Sequence, residues 1–128
     1  LLNYKNVISI PHLGASTPES EENCAVMAVR EIKEYIERGN ITNSVNFPSV
    51  QLPKTSQSRI TIMHKNIPNM LSQISNEFAK NDLNIDNMMN KSKNDVAYTI
   101  VDVDSEVNGN VIESLSKIDG IIRVRLIQ

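Results

Sequence analysis

The chain has 128 residues, 13 Lys plus Arg against 15 Asp plus Glu, a formal net charge of -2 and 40% hydrophobic residues. That is room for one ordinary domain, or a small domain with an attached segment, and too little for a large enzyme. The near-balance of charge excludes the basic excess of a nucleic-acid or membrane-surface binder. One cysteine, Cys24, and two histidines supply neither an internal disulfide nor a ready Cys/His zinc set. Apolar runs such as 97–101 stop far short of the roughly 20 residues that a membrane helix needs. With no basic-then-apolar leader and a single thiol, a cytoplasmic setting fits.

In chain order, Val7-Ile8-Ser9-Ile10 predicts a short buried strand ended by Pro11. Thr17-Pro18-Glu19-Ser20-Glu21-Glu22 carries the marks of a helix start: a hydroxyl cap, proline at the first position and carboxylates in the first turn. Ala25, Val29, Ile32 and Ile36 follow at helical spacing and Gly39 stands at the stop, which predicts a helix over 17–38. From Ile41 to Ser58 the sequence turns to Asn, Ser, Thr and Gln with Pro48 and Pro53, and reads as an extended, stiff connector. The expected division is a first region over 1–50, a linker over 51–58 and a domain over 59–128.

Beyond the linker the periodicities switch in a fixed order. Residues 59–64 alternate with period two, 68–80 place Met70, Leu71, Ile74 and Phe78 at helical spacing, and 84–89 is a weaker strand before a polar turn at 91–95. Val96 to Val103 is a strong strand, Val107 to Ile118 a helix stopped by Gly120, and Ile121 to Ile127 a last strand. The order β-α-β-β-α-β within about 70 residues is the ferredoxin-like unit of the α+β class. Many unrelated functions share it, so function has to come from side chains. An RNA-binding reading needs stacking aromatics on the central strands, and these offer only Tyr98.

Two stretches carry candidate chemistry. In Pro11-His12-Leu13-Gly14-Ala15-Ser16-Thr17 a histidine leaves a strand just ahead of a helix N-terminus, where α/β sheets bind ligands and where His exchanges protons near neutrality. The same pattern also fits a loop histidine bonded to a backbone carbonyl. In His64-Lys65-Asn66-Ile67-Pro68-Asn69-Met70-Leu71, proline at a first helical turn leaves the N–H groups of Asn69, Met70 and Leu71 unpaired, ready for a carboxylate, and the Asn66 amide both donates and accepts. Alternatively, Asn66 only caps the helix and His64 is a surface residue.

The stretch 6–20 resembles the last signature of the D-2-hydroxyacid dehydrogenases, and Asn23, Ala25, Val29, Ile36, Gly39, Val45-Asn46 and Pro48 continue the likeness toward the branch that oxidises 3-phosphoglycerate. The resemblance implies that His12 is the acid/base of an NAD-dependent hydride transfer, with Gly14 and Ala15 toward the nicotinamide end. The chain lacks Gly-x-Gly-x-x-Gly, and the residues that would bind substrate are missing. Together with a start at Leu1-Leu2 rather than Met, this leads us to expect the C-terminal part of such an enzyme, inactive alone and without bound NAD.

The stretch 59–128 resembles the ACT domain, a regulatory amino-acid-binding module. This implies pairing of two domains edge to edge into dimers, with tetramers in the whole enzyme. It also implies L-serine as a feedback effector held by His64 and Asn66, with Asn84 reaching across the interface and Asn69, Met70 and Leu71 as lesser contacts. Asn69 departs from the family's usual Gly. An ACT domain serving oligomerisation alone is the alternative. The whole is thus expected as an ACT domain preceded by a strand-helix tail of an α/β catalytic domain, with no nucleic acid, membrane or metal among its partners. Met63, Met70, Met88 and Met89 read as core or interface, Cys24 as a packed thiol, and Asp102, Asp104 and Glu106 as solvated strand-end charge.

Overall fold

A computed structural model describes residues 4–14 and 16–128. Contacts divide the chain into two compact units, Leu1–Ile32 and Lys33–Gln128, the second of which takes in both the expected linker 51–58 and the expected domain 59–128.

Helix α1, Pro18–Arg38, runs as its sequence predicts. Thr17 caps it, its Oγ1 accepting from the Ser20 N–H at 3.2 Å. Gly39 ends it at φ +69°, a left-handed conformation that costs a side-chain-bearing residue more than glycine. Most apolar residues of α1 are exposed, Val29 and Ile32 among them, while Tyr35 is half-buried, and Cys24 is exposed rather than packed. The strand expected at Val7–Ile10 does not form: these residues lie outside any strand, and Ile8 and Ile10 are exposed. A lone β-branched run meets no ladder partner among the described residues, and without one extended backbone is not a strand.

The second unit contains β1 (Ser58–Lys65), α2 (Met70–Lys80), β2 (Ile85–Lys93), β3 (Val96–Val103), α3 (Gly109–Ser116) and β4 (Ile121–Ile127). The antiparallel sheet has the order β2-β3-β1-β4, the ferredoxin-like arrangement that the sequence order requires. β2 extends past the expected end to Lys93, because Asn94, at φ 54°, makes the turn into β3 short. α2 begins at Met70, two residues later than expected, since Asn69 takes φ 69° just ahead of it.

Alternation sends Ile60, Ile62, Val101 and Val103 to one face, where they pack with Ile74 and Phe78 of α2 and Val111 and Leu115 of α3. The other face is covered by the chain's own segment 39–53, not left to solvent. Ile41 and Val50 pair with each other and bury against Tyr98 and Ile100. A half-apolar sheet face needs a cover, and Ile41, Phe47, Val50 and Leu52 supply it from the segment just ahead of β1, which runs into the first residues of the expected linker 51–58.

Three polar anchors hold this cover. Arg59 and Asp102, both fully buried, form a two-pronged ion pair at 2.6 and 2.7 Å. The other N–H groups of Arg59 bond the carbonyls of Arg38, Leu52 and Pro53 at 2.7–2.9 Å, so all five guanidinium donors are used. Tyr98 donates to the Gly39 carbonyl at 2.8 Å, and the Lys93 ammonium reaches the carbonyls of Ser44 and Val45. Asp102, read from sequence as solvated, is therefore the most deeply committed carboxylate described in the chain.

Candidate functional site

The β1–α2 loop lies at one end of the helix-covered face and borders a half-open cavity of about 220 Å³, lined among others by His64, Asn66, Asn69, Met70, Leu71 and Asn90. Met70, Leu71 and Ser72 form the first turn of α2, whose first intrahelical bond is Gln73 N–H to the Asn69 carbonyl. No side chain caps this end. Free backbone donors and the positive end of the helix dipole therefore meet the cavity. Asn69 holds its left-handed conformation without glycine, as a short amide side chain permits. Gly120, at φ +93°, lets β4 pass beneath: a Cβ there would lie 3.2 Å from both Ile67 Cδ1 and Met70 Sδ.

Asn66 does not cap α2. Its Nδ2 donates to the Asn94 carbonyl at 3.0 Å and its backbone N–H to the Asp95 carbonyl at 2.9 Å, which ties the loop to the β2–β3 turn and leaves its Oδ1 without a partner among the described residues. His64 is no surface residue but 2% exposed, because the alternation that buries Ile60 and Ile62 buries it too. Nδ1 lies 2.8 Å from the Lys65 carbonyl and Nε2 lies 2.9 Å from Thr99 Oγ1. Thr99 Oγ1 is in turn 2.9 Å from Asn90 Oδ1. Sequence reasoning missed Asn90 and Thr99. The available signal was that two polar residues sit in strands on the parity of the core positions Met88 and Val101.

The remaining expected residues lie elsewhere. Asn84, just ahead of β2, bonds Asp104 at 3.4 Å and stands at the end of the sheet where Ile85 pairs with Val103, opposite the His64 end. His12 and Gly14 belong to the first unit, His12 exposed and Gly14 with open space around it. Ala15 lies outside the described residues. The four glycines, at 14, 39, 109 and 120, make no dinucleotide-binding turn, so the residues present do not fit an NAD site. Among the described residues no group of three or more His, Cys, Asp or Glu is placed to hold a metal ion, and no helix is long and apolar enough to cross a membrane.

No protein-family model matches the chain. Curated relatives do. D-3-phosphoglycerate dehydrogenase of Haemophilus influenzae is 33% identical over 128 residues, covering 99% of this chain and 31% of that protein. That of Escherichia coli K12 is 30% identical over 129 residues, covering 99% and 32%. The chain is homologous to the C-terminal region of D-3-phosphoglycerate dehydrogenase. D-3-phosphoglycerate dehydrogenase 1 of Saccharomyces cerevisiae is 30% identical over 88 residues, 65% of this chain and 19% of that protein. The chain thus spans about a third of the length of its bacterial D-3-phosphoglycerate dehydrogenase relatives. Among solved structures, the ACT domain of GTP pyrophosphokinase from Chlorobium tepidum matches with TM-score 0.48 at 20% identity, over 55% of this chain and 95% of that one. The regulatory subunit of aspartate kinase from Thermus thermophilus matches with TM-score 0.48 at 13% identity, over 57% and 51%.

Proposed function

We propose that the βαββαβ unit is an ACT regulatory module that binds L-serine in the cavity at the β1–α2 loop. The chain would then serve as the C-terminal regulatory region of a cytoplasmic, NAD-dependent D-3-phosphoglycerate dehydrogenase, feeding the serine level back on serine synthesis. The observation that carries the reading is the uncapped first turn of α2 facing a cavity beside the Asn66 amide. Backbone N–H groups suit a carboxylate and an amide oxygen suits an ammonium, the two ends that every amino acid presents. Asn84 stands at the far end of the sheet, so its part in the site requires a second copy laid antiparallel along the β2 edge. That pairing would also protect an exposed strand. Serine regulates only if it binds two arrangements of the paired modules unequally. In the whole enzyme His12 is the proposed acid/base at the substrate oxygen, with Gly14 and Ala15 nearby. This chain alone is assigned neither cofactor nor catalysis.

Calorimetry with L-serine tests the reading: heat that Asn66→Ala abolishes supports it, and no heat at millimolar serine overturns it. One observation favours a second reading, an ACT domain for oligomerisation only: both ring nitrogens of His64 are already bonded within the chain. That reading predicts a dimer in sedimentation that serine leaves unchanged.

A further inference from the structure

The turn between β2 and β3 is gripped from two sides. Asn66, in the β1–α2 loop, donates through Nδ2 to the Asn94 carbonyl at 3.0 Å and through its backbone N–H to the Asp95 carbonyl at 2.9 Å. One residue earlier, the Lys93 ammonium donates to the carbonyls of Ser44 at 3.2 Å and Val45 at 3.0 Å, in the segment that covers the opposite sheet face. Lys93 pairs directly with Val96, so only Asn94, at φ 54°, and Asp95 make the turn. A two-residue turn between paired strands has no slack in which one grip could shift without the other.

The covering end of this connection is equally definite. Ser44 Oγ accepts from the N–H groups of Asn46 and Phe47 at 3.3 and 3.0 Å, and Phe47 packs against the cluster of Ile41, Val50, Tyr98 and Ile100. The Lys93 contact is a releasable one. No described carboxylate pairs with its ammonium, which rests on two neutral carbonyls, and these hold a cation less tightly than a carboxylate would. The loop beside it meets water, Val45 being 83% exposed.

We infer that Lys93 couples the effector cavity to the covering segment: the β2–β3 turn passes the position of the Asn66 amide to Ser44 and Val45, so that an amino acid bound at Asn66 holds segment 39–53 closed. The inference goes beyond the amino-acid reading above and rests on it, since Asn66 both lines the cavity and bonds the turn. The Asn66 Oδ1 is open to a ligand while the Nδ2 of the same planar group carries Asn94. Lys93 is a positioning residue, off the cavity wall. The two states it biases are the cover docked and the cover locally opened.

Hydrogen exchange read by mass spectrometry on the 128-residue chain, with and without saturating L-serine, tests the coupling, and calorimetry gives serine affinity alongside. Serine is expected to slow exchange over residues 41–50 about fivefold, the low end of couplings between sites. Amides of β3 in the same spectra are the reference for global stabilisation. Lys93→Met keeps the aliphatic stem and loses the ammonium. It is expected to speed exchange over 41–50 and to erase most of the serine-dependent slowing, with affinity reduced by no more than about fivefold, as reciprocity requires. Lys93→Arg restores a donor and is expected to bring the slowing back. Slowing that persists in Lys93→Met makes the contact structural only and overturns the inference. So do slowing absent from an unmodified chain that binds serine, slowing that Lys93→Arg does not restore, and an affinity loss in Lys93→Met beyond about fivefold, which places Lys93 in the site itself. In each of these outcomes the unmodified chain still binds serine and the reading above stands. No serine binding by the unmodified chain overturns that reading, and the inference with it.

Discussion

Replacing Arg59 by Met should be among the most damaging single changes in the second unit, and its cost can be worked from its five bonds. The substitution strands the Asp102 carboxylate, which is fully buried, and removes the donor from the carbonyls of Arg38, Leu52 and Pro53. Removing one partner of a buried pair costs about 3–5 kcal/mol, because the other charge is left desolvated. Small domains have about 5–15 kcal/mol in total. With a slope of about 1–3 kcal/mol per molar urea, the unfolding midpoint should fall by about 1–5 M. The double change Arg59→Met with Asp102→Leu removes both charges and should recover most of that loss. It cannot restore the three carbonyl bonds, so segment 39–53 should become sensitive to limited proteolysis while the sheet stays folded. Urea unfolding followed by circular dichroism, with proteolysis mapped by mass spectrometry, separates the two effects. A single-variant cost below about 1 kcal/mol, or a double variant whose segment 39–53 is as protected as in the parent, would refute the clasp.

Burial pushes the Tyr98 hydroxyl from 10.0 up to about 12. Its neutral form therefore adds stability that is intact below pH 10 and is lost as pH rises toward 12, about 2–3 kcal/mol in all. Tyr98→Phe should cost about 1 kcal/mol at neutral pH through the lost bond to Gly39 and flatten that alkaline decline, and a decline as steep as the parent's would contradict it. Gly39→Ala should destabilise by about 1–3 kcal/mol, read as a lower melting temperature, because φ is +69° and the new Cβ would clash with Thr61 Cγ2. Asn69→Ala should cost about 1 kcal/mol, while Asn69→Gly should stay within about 0.5 kcal/mol of the parent in the same melts, since only the left-handed backbone distinguishes them.

What the sequence disclosed was local. Strands 96–103 and 121–127 and the helix ending at Gly39 lie where period and caps put them, because a strand with one buried face and a helix with a left-handed stop write themselves into neighbouring residues. The errors came where a distant partner decides. Val7–Ile10 has the composition of a strand but no partner strand among the described residues. Asp102 has the composition of a surface charge and is buried because Arg59, 43 residues earlier, faces it across the ladder. Ile41 and Val50 were hidden by the polar residues around them, and their role is set by an apolar sheet face formed later in the chain. At the site, the β1–α2 loop was legible as a motif. Asn90 was not, since nothing near it in sequence announces that its neighbour on β3 is a hydroxyl bonded to a histidine.

The clasp also fixes an order of events in folding. Segment 39–53 has no surface to dock on until β1 and β3 have paired, because both halves of its anchor, Arg59 and Asp102, lie on those strands. The cover is therefore the last layer to close and the first to open. Substitutions such as Val50→Ala should speed unfolding and leave the folding rate nearly unchanged. A chain trimmed to begin at β1 would still form its ladder, but with Tyr98, Ile100 and a buried ion pair suddenly facing water. A piece that keeps this sheet face covered thus begins before the six-element unit that names its fold.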